Sequence, residues 1–134
     1  MSIKPAEIQV RFADLDVLGH VNNSIYLSYF EMTRVHYFKE LLGESWDWKK
    51  NGVLLVRNEI DYLEPILLHQ KPSISMYLIE IGNKSFKLGY EIFVEEKIHT
   101  KGCSVMVCFD SVTNQTNSVP IEMKKALNIL KRNL

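Results

Sequence analysis

The stretch Phe12-Ala13-Asp14-Leu15-Asp16-Val17-Leu18-Gly19-His20-Val21-Asn22-Asn23 crowds two carboxylates, a glycine, an imidazole and two amides between two apolar elements. A plain connection has no need of so many polar groups. A carboxylate held near a reacting carbonyl can attack it or take a proton from water. Asp14 and Asp16 also suit a simple turn ahead of a helix, where short acidic side chains accept hydrogen bonds from nearby backbone. Both readings stay open on the residues alone. The four histidines, at 20, 36, 69 and 99, have no metal-ligand spacing, so no metal and no cofactor is expected.

The elements on either side must position this stretch. Before it, Ile8, Val10 and Phe12 alternate with Glu7, Gln9 and Arg11, which predicts a half-buried strand over Glu7–Phe12 following Pro5. After it, a helix is predicted from about Asn23 to Leu42, stopped by Gly43 and capped by Asn22, Asn23 or Ser24. Tyr26, Leu27, Phe30, Tyr37, Phe38 and Leu41 form one apolar stripe, with Ile25, Tyr29, Met32 and His36 as a second flank. Such a helix, roughly 30 Å long, is expected to be wrapped on most sides by the concave face of a sheet. Arg34 falls inside the stripe, where Glu31 is its expected partner.

Beyond a link at Glu44–Asn51 carrying Trp46 and Trp48, the pattern turns to strands: Val53–Leu63, Ser73–Ile81, Ser85–Glu95 and Lys101–Asp110. Short turns such as Gly82-Asn83 predict an antiparallel meander. Pro120 suits the first turn of a last helix that buries Met123, Leu127 and Leu130. The expected fold class is α+β: one curled antiparallel sheet around one long central helix, with a short C-terminal helix.

Composition narrows the partners. Sixteen basic residues balance sixteen acidic ones, so no strong field favours nucleic acid or an anionic membrane. No apolar run has the length of a membrane span or the character of a signal peptide. Cys103 and Cys108, five apart in a strand, point to opposite faces and cannot pair with each other. Free thiols suit a reducing compartment, and the cytoplasm is the expected location. Residues 1–134 are read as a single domain.

The run Asp14-Leu15-Asp16-Val17-Leu18-Gly19-His20-Val21-Asn22-Asn23-Ser24-Ile25-Tyr26-Leu27, followed by Tyr29-Phe30-Glu31, closely resembles the hotdog-fold acyl-CoA thioesterases of the 4-hydroxybenzoyl-CoA thioesterase type. Val56-Arg57-Asn58-Glu59-Ile60-Asp61-Tyr62-Leu63-Glu64-Pro65 resembles that family's second strand, and Ile81-Gly82-Asn83-Lys84-Ser85-Phe86 its later hairpin. One departure is His69-Gln70, where the family usually has Gly-Asp after the proline. The resemblance implies a hotdog fold, hydrolysis of an acyl-CoA thioester, and a homodimer or homotetramer whose sheets join edge to edge. It also implies that Asp16 is the catalytic carboxylate and that the backbone amide of Asn23 polarises the thioester carbonyl.

On that footing, Asp16 either attacks the carbonyl or activates water, and the start of the helix supplies oxyanion donors. Gly19 would give the substrate close approach, Tyr26 would line the acyl pocket, and His20 would position Asp16 or touch the thioester. Lys84, Lys87, Lys97 and Lys101 read as solvated surface before they read as ligands of coenzyme A phosphates. The rival function is a non-catalytic acyl-CoA-binding or partner-binding protein of the same fold. An aspartate-nucleophile phosphatase would need a parallel sheet, and a dehydratase would need a histidine and acid at the α-carbon. Neither arrangement is present in the pattern.

Overall fold

The computed structural model describes residues 2–132. Met1, Asn133 and Leu134, which the sequence reading takes into the same domain, lie outside them. The elements run β1 (Ala6–Glu7), a 3-10 turn (Phe12–Asp14), α1 (Ile25–Leu42), β2 (Gly52–Tyr62), β3 (Ser73–Ile81), β4 (Ser85–Val94), β5 (Lys97–Asp110), β6 (Gln115–Thr116) and α2 (Ile121–Ile129). The strands form one antiparallel sheet ordered β1-β3-β4-β5-β2, with β6 added to β5.

Alternation along β4 sets the inner face. Phe86, Leu88, Tyr90, Ile92 and Val94 are all buried, beside Ile74, Met76 and Leu78 of β3 and Met106 and Cys108 of β5. Phe93, which breaks the alternation, lies where the β4–β5 register shifts. Against this face α1 lays Tyr26, Tyr29, Phe30, Thr33, Tyr37 and Phe38. Phe30 stacks on Tyr90 with ring centroids 4.2 Å apart. Burying several such rings, at about 25 cal/mol per Å² of apolar surface, stabilises the packing of α1 on the sheet. The short helix α2 closes the core with Met123, Ala126 and Leu127.

The structure corrects several expectations. Only Ala6–Glu7 pairs in a ladder rather than the whole of Glu7–Phe12. Ile8 and Val10 are buried as the alternation requires, but the chain bends into the 3-10 turn and leaves Phe12 81% exposed. The helix starts two residues later than expected, at Ile25, and ends at Leu42 with Gly43 at φ 77°. It is not wrapped on most sides, because Leu27, Met32 and Val35 are exposed.

Arg34 does not pair with Glu31. Its guanidinium donates instead to the Tyr90 hydroxyl at 2.9 Å, since the helix sits close enough to β4 for the side chain to reach across. The meander holds for β3, β4 and β5 only. The segment 63–72, with a proline at each end region (Pro65 and Pro72), is too long for a hairpin and carries the chain from β2, beside β5, over to β3. The two cysteines are unpaired as expected, Cys108 in the core and Cys103 half-exposed on the other face.

This topology makes β2 an edge strand along its whole length, with Leu54, Leu55 and Val56 exposed. The Phe30 ring of the central helix packs directly over Gly102 of β5. A Cβ there would lie 2.7 Å from Cε2 and Cζ of the Phe30 ring and 3.0 Å from the Glu59 carbonyl oxygen. Gly102→Ala should therefore destabilise the protein by about 1–3 kcal/mol through overpacking, read as a lower thermal midpoint. An unchanged midpoint would mean that the helix stands further from the sheet.

Candidate active site

The polar stretch folds as a small hairpin between β1 and α1. Leu15 and Val21 form an isolated antiparallel bridge. The Asp16 N–H donates to the His20 carbonyl at 2.8 Å, and the Gly19 N–H to the Asp16 carbonyl at 3.1 Å. Gly19 takes φ 81°, a left-handed conformation that L side chains rarely adopt, and the space beside it is open. Closing the base of the hairpin, the Asn22 N–H donates to the Asp14 carbonyl at 2.8 Å.

The two carboxylates play different parts. Asp14 Oδ2 accepts the Tyr29 hydroxyl at 2.7 Å and the Arg11 N–H at 3.0 Å, tying the turn to the first half of α1. Asp16 is half-buried. Its Oδ1 accepts the backbone N–H groups of Leu18 (2.9 Å) and His20 (3.2 Å), while Oδ2 has no partner among the described residues. One oxygen thus fixes the rotamer and the other stays available. The turn reading and the chemical reading of Asp16 are compatible, because each uses a different oxygen.

At the start of the helix, Ser24 is the N-cap residue but makes no side-chain cap bond, and Asn22 holds the turn that leads into it. Its Oδ1 accepts the Ser24 N–H at 3.0 Å and the Ser24 hydroxyl at 2.9 Å, and its carbonyl accepts the Ile25 N–H at 2.9 Å. The Asn23 N–H has no acceptor among the described residues, and the Asn23 carbonyl accepts the Tyr62 hydroxyl at 3.1 Å. The peptide that carries the Asn23 N–H is held through the Asn22 carbonyl on the Ile25 N–H, and the next peptide through the Asn23 carbonyl on Tyr62, beside the positive end of α1. Tyr62 escaped the sequence reading as a site residue. The only signal for it was its place on the Asn58–Ile60–Tyr62 side of β2.

Tyr26 is 2% exposed, so it backs the turn as packed wall. It meets Tyr62 edge-on at 4.9 Å, and its hydroxyl lies near the Ile66 backbone and Thr100. Burial raises its hydroxyl above the ordinary tyrosine range, with the Asp16 charge adding in the same direction, so it stays neutral. His20 holds Asp16 through its backbone N–H and carbonyl, and its imidazole has no hydrogen bond among the described residues. Val17 and Leu18, at the tip, are exposed. The apolar groove of about 680 Å³ between α1 and β2, lined by residues such as Phe38, Trp48 and Leu54, contains no residue of the turn.

Residues 10–127 match the model of the thioesterase-like superfamily. The long-chain acyl-CoA thioesterase FadM of Escherichia coli is 28% identical over 124 residues, covering 90% of this chain and 94% of FadM. An uncharacterized protein of Bacillus subtilis, YsmA, is 31% identical over 84 residues, and that match spans 63% of this chain but only 56% of YsmA. A Thermus thermophilus thioesterase solved with coenzyme A and zinc is 30% identical, with a TM-score of 0.82 over 100% of both chains. The chain therefore belongs to the thioesterase-like superfamily and is by family a thioester hydrolase of the hotdog fold.

The Asp14–Tyr29 bond yields a test of the scaffold. Burial, reinforced by that bond and by the Asp14 charge, raises the Tyr29 hydroxyl above its ordinary range. In the unfolded chain the same phenol ionises near pH 10. The stability it contributes is complete below that pH and falls as pH rises further, because the unfolded state then binds fewer protons. Tyr29→Phe should cost about 1 kcal/mol near neutral pH. Its deficit relative to wild type in chemical denaturation should shrink above about pH 10; a deficit independent of pH would rule out the proposed proton linkage.

Proposed function

We propose that the protein hydrolyses an acyl-CoA thioester to a free carboxylic acid and coenzyme A at the Asp16 turn. The observation that carries this reading is an aspartate with Oδ1 held by two backbone donors and Oδ2 open, on a turn that leads to an unclaimed helix-start amide at Asn23. FadM acts on long-chain acyl-CoA, and the Thermus relative was solved with coenzyme A, which supports the choice of thioester.

The chemistry asks little at the leaving group, because a thiol with a pKa near 8.5 departs readily as thiolate. The demands are a nucleophile and oxyanion stabilisation. Asp16 Oδ2 meets the first, either by attacking the carbonyl carbon to form an acyl anhydride that water then opens, or by taking a proton from the attacking water. The Asn23 N–H meets the second, where one well-placed donor contributes on the order of 3 kcal/mol to the transition state. Gly19 leaves room for the thioester, Tyr26 and Tyr62 back the site, and the His20 imidazole is free to contact substrate.

The same reading makes a second copy of the chain the natural cover for the site. An unpaired edge strand with exposed Leu54, Leu55 and Val56 is a template for pairing. The exposed Leu27 and Val35 of α1 and the apolar tip of the turn also lack cover in one chain. We therefore assign a homodimer through β2, or a dimer of such dimers, acting as one catalytic domain per chain. The free thiols suit a reducing cytoplasm.

A thiol-release assay over short, medium, long and aromatic acyl-CoAs tests the activity. Wild type should turn over at least one class, and folded Asp16→Asn and Asp16→Ala should each lose at least about 100-fold in kcat. Full activity in Asp16→Ala would remove Asp16 from the reaction. Tight binding of an acyl-CoA without turnover would instead identify an acyl-CoA-binding protein. Separately, Leu54→Lys should shift the sedimenting species from dimer toward monomer, and an unaltered dimer would place the interface elsewhere.

A further inference from the structure

One buried titratable group outside the reaction turn is built into the path that supports it. His99, near the start of β5, is 5% exposed and has no part in the chemistry above. Its Nδ1 lies 3.2 Å from the Pro65 carbonyl oxygen. That oxygen can only accept, so Nδ1 carries the hydrogen and donates. Nε2 faces Glu64 Oε2 at 3.5 Å, and the other Glu64 oxygen pairs with Lys97. The His99 backbone carbonyl accepts the N–H groups of both Leu63 and Glu64 at 3.0 Å. Residue 99 thus binds the chain from Leu63 to Pro65 through main chain and side chain together.

The next residues of that segment hold the reaction turn. The Ile66 carbonyl accepts the Val21 N–H at 2.9 Å, and Leu67 forms an antiparallel bridge with His20. His20 in turn contributes two of the backbone bonds around Asp16, accepting from its N–H and donating to its Oδ1. Successive carbonyls of an extended chain point to opposite sides. Here the Pro65 carbonyl turns to His99 and the Ile66 carbonyl to Val21. The lateral position of the turn relative to the sheet is set across this two-residue bridge. Pro65 has no N–H, so the acceptor bond to His99 is the tie available at that residue.

We propose that His99 is a positioning residue for the reaction, its imidazole pinning the Pro65–Ile66 segment on which the Asp16–Val21 hairpin is laid. This rests on the reading of Asp16 as the catalytic carboxylate. It goes beyond that reading by tying the geometry of the turn to a side chain on β5. The segment 63–67 is the only part of the chain that touches both residue 99 and the hairpin by backbone hydrogen bonds among the described residues.

The test compares His99→Leu, which removes the donor, with His99→Asn, whose side-chain amide can supply a donor in the place of Nδ1. The readouts are acyl-CoA hydrolysis and residue-resolved amide hydrogen exchange. In folded His99→Leu, kcat should fall about tenfold or more, as expected for a sub-ångström to ångström displacement of a reacting group, with KM within about twofold. Exchange at the Val21 amide should quicken while the central amides of β4 and β5 keep their protection. His99→Asn should recover kcat to within about threefold of wild type.

Wild-type kcat together with wild-type Val21 exchange in His99→Leu would overturn the inference. So would equal losses in both variants with exchange raised across the whole sheet, which is the signature of a purely structural role. The exchange arm needs no turnover. If wild type hydrolyses no acyl-CoA, the assigned function fails, while the Val21 amide still reports whether His99 pins the segment. Should His99→Leu not fold, His99→Asn decides alone: a quickened Val21 amide and a kcat loss of about tenfold in a variant that retains the donor would also overturn the inference.

Discussion

Two backbone N–H groups, those of Leu18 and His20, converge on one oxygen of Asp16, and the account of this protein depends on that convergence. A carboxylate that caps its own turn has a fixed rotamer without a salt bridge. Among the described residues it pairs with no cation, and its second oxygen has no partner. The tight turn needs Gly19 in a left-handed conformation, and the space beside that residue is open. The rest of the structure can be understood as holding this loop still.

Three anchors do so from three directions. Tyr29, on α1, takes Asp14 on the near side of the hairpin. Tyr62, at the end of β2, takes the Asn23 carbonyl and so orients the peptide that precedes the helix. Ile66, in the crossing segment, takes the Val21 amide. Each anchor is itself immobilised by packing: Tyr29 and Ile66 are buried, and Tyr62 lies edge-on against Tyr26. Individually each hydrogen bond is worth about 1 kcal/mol. Their value for function lies in geometry, since a misplacement of about 1 Å can cost a reaction 100-fold.

The amino-acid sequence made some of this legible and concealed the rest. The alternation in Ser85–Glu95 and the aromatic spacing of α1 are local patterns, and they located the inner sheet face and the buried Tyr26, Phe30, Tyr37 and Phe38, while Leu27 of the same stripe is exposed. The polar hairpin was visible as an excess of turn-forming and reactive groups in one place. What escaped was set by contacts distant in sequence. Arg34 chose Tyr90, 56 residues away, over Glu31 in the adjoining turn. β2 passed over its neighbour in sequence to pair with β5, and His99 acquired its partners only because the crossing segment returns to it. Phe12 alternates like a core residue yet points to solvent because the chain turns there. Periodicity reports which face is apolar, while the partner across the fold is fixed by topology.

In the proposed reaction the carbonyl of the substrate sits between Asp16 and the amide of Asn23. The most direct measurement is a crystal structure with an acyl-CoA analogue in which a methylene replaces the thioester sulfur, leaving a ketone that cannot be hydrolysed. The ketone oxygen should lie about 3 Å from the Asn23 nitrogen, and Asp16 Oδ2 should face the carbonyl carbon within about 3.5 Å or reach it through one water. A ketone lodged instead in the groove beside Phe38 and Trp48, with Asp16 turned to bulk solvent, would contradict the account.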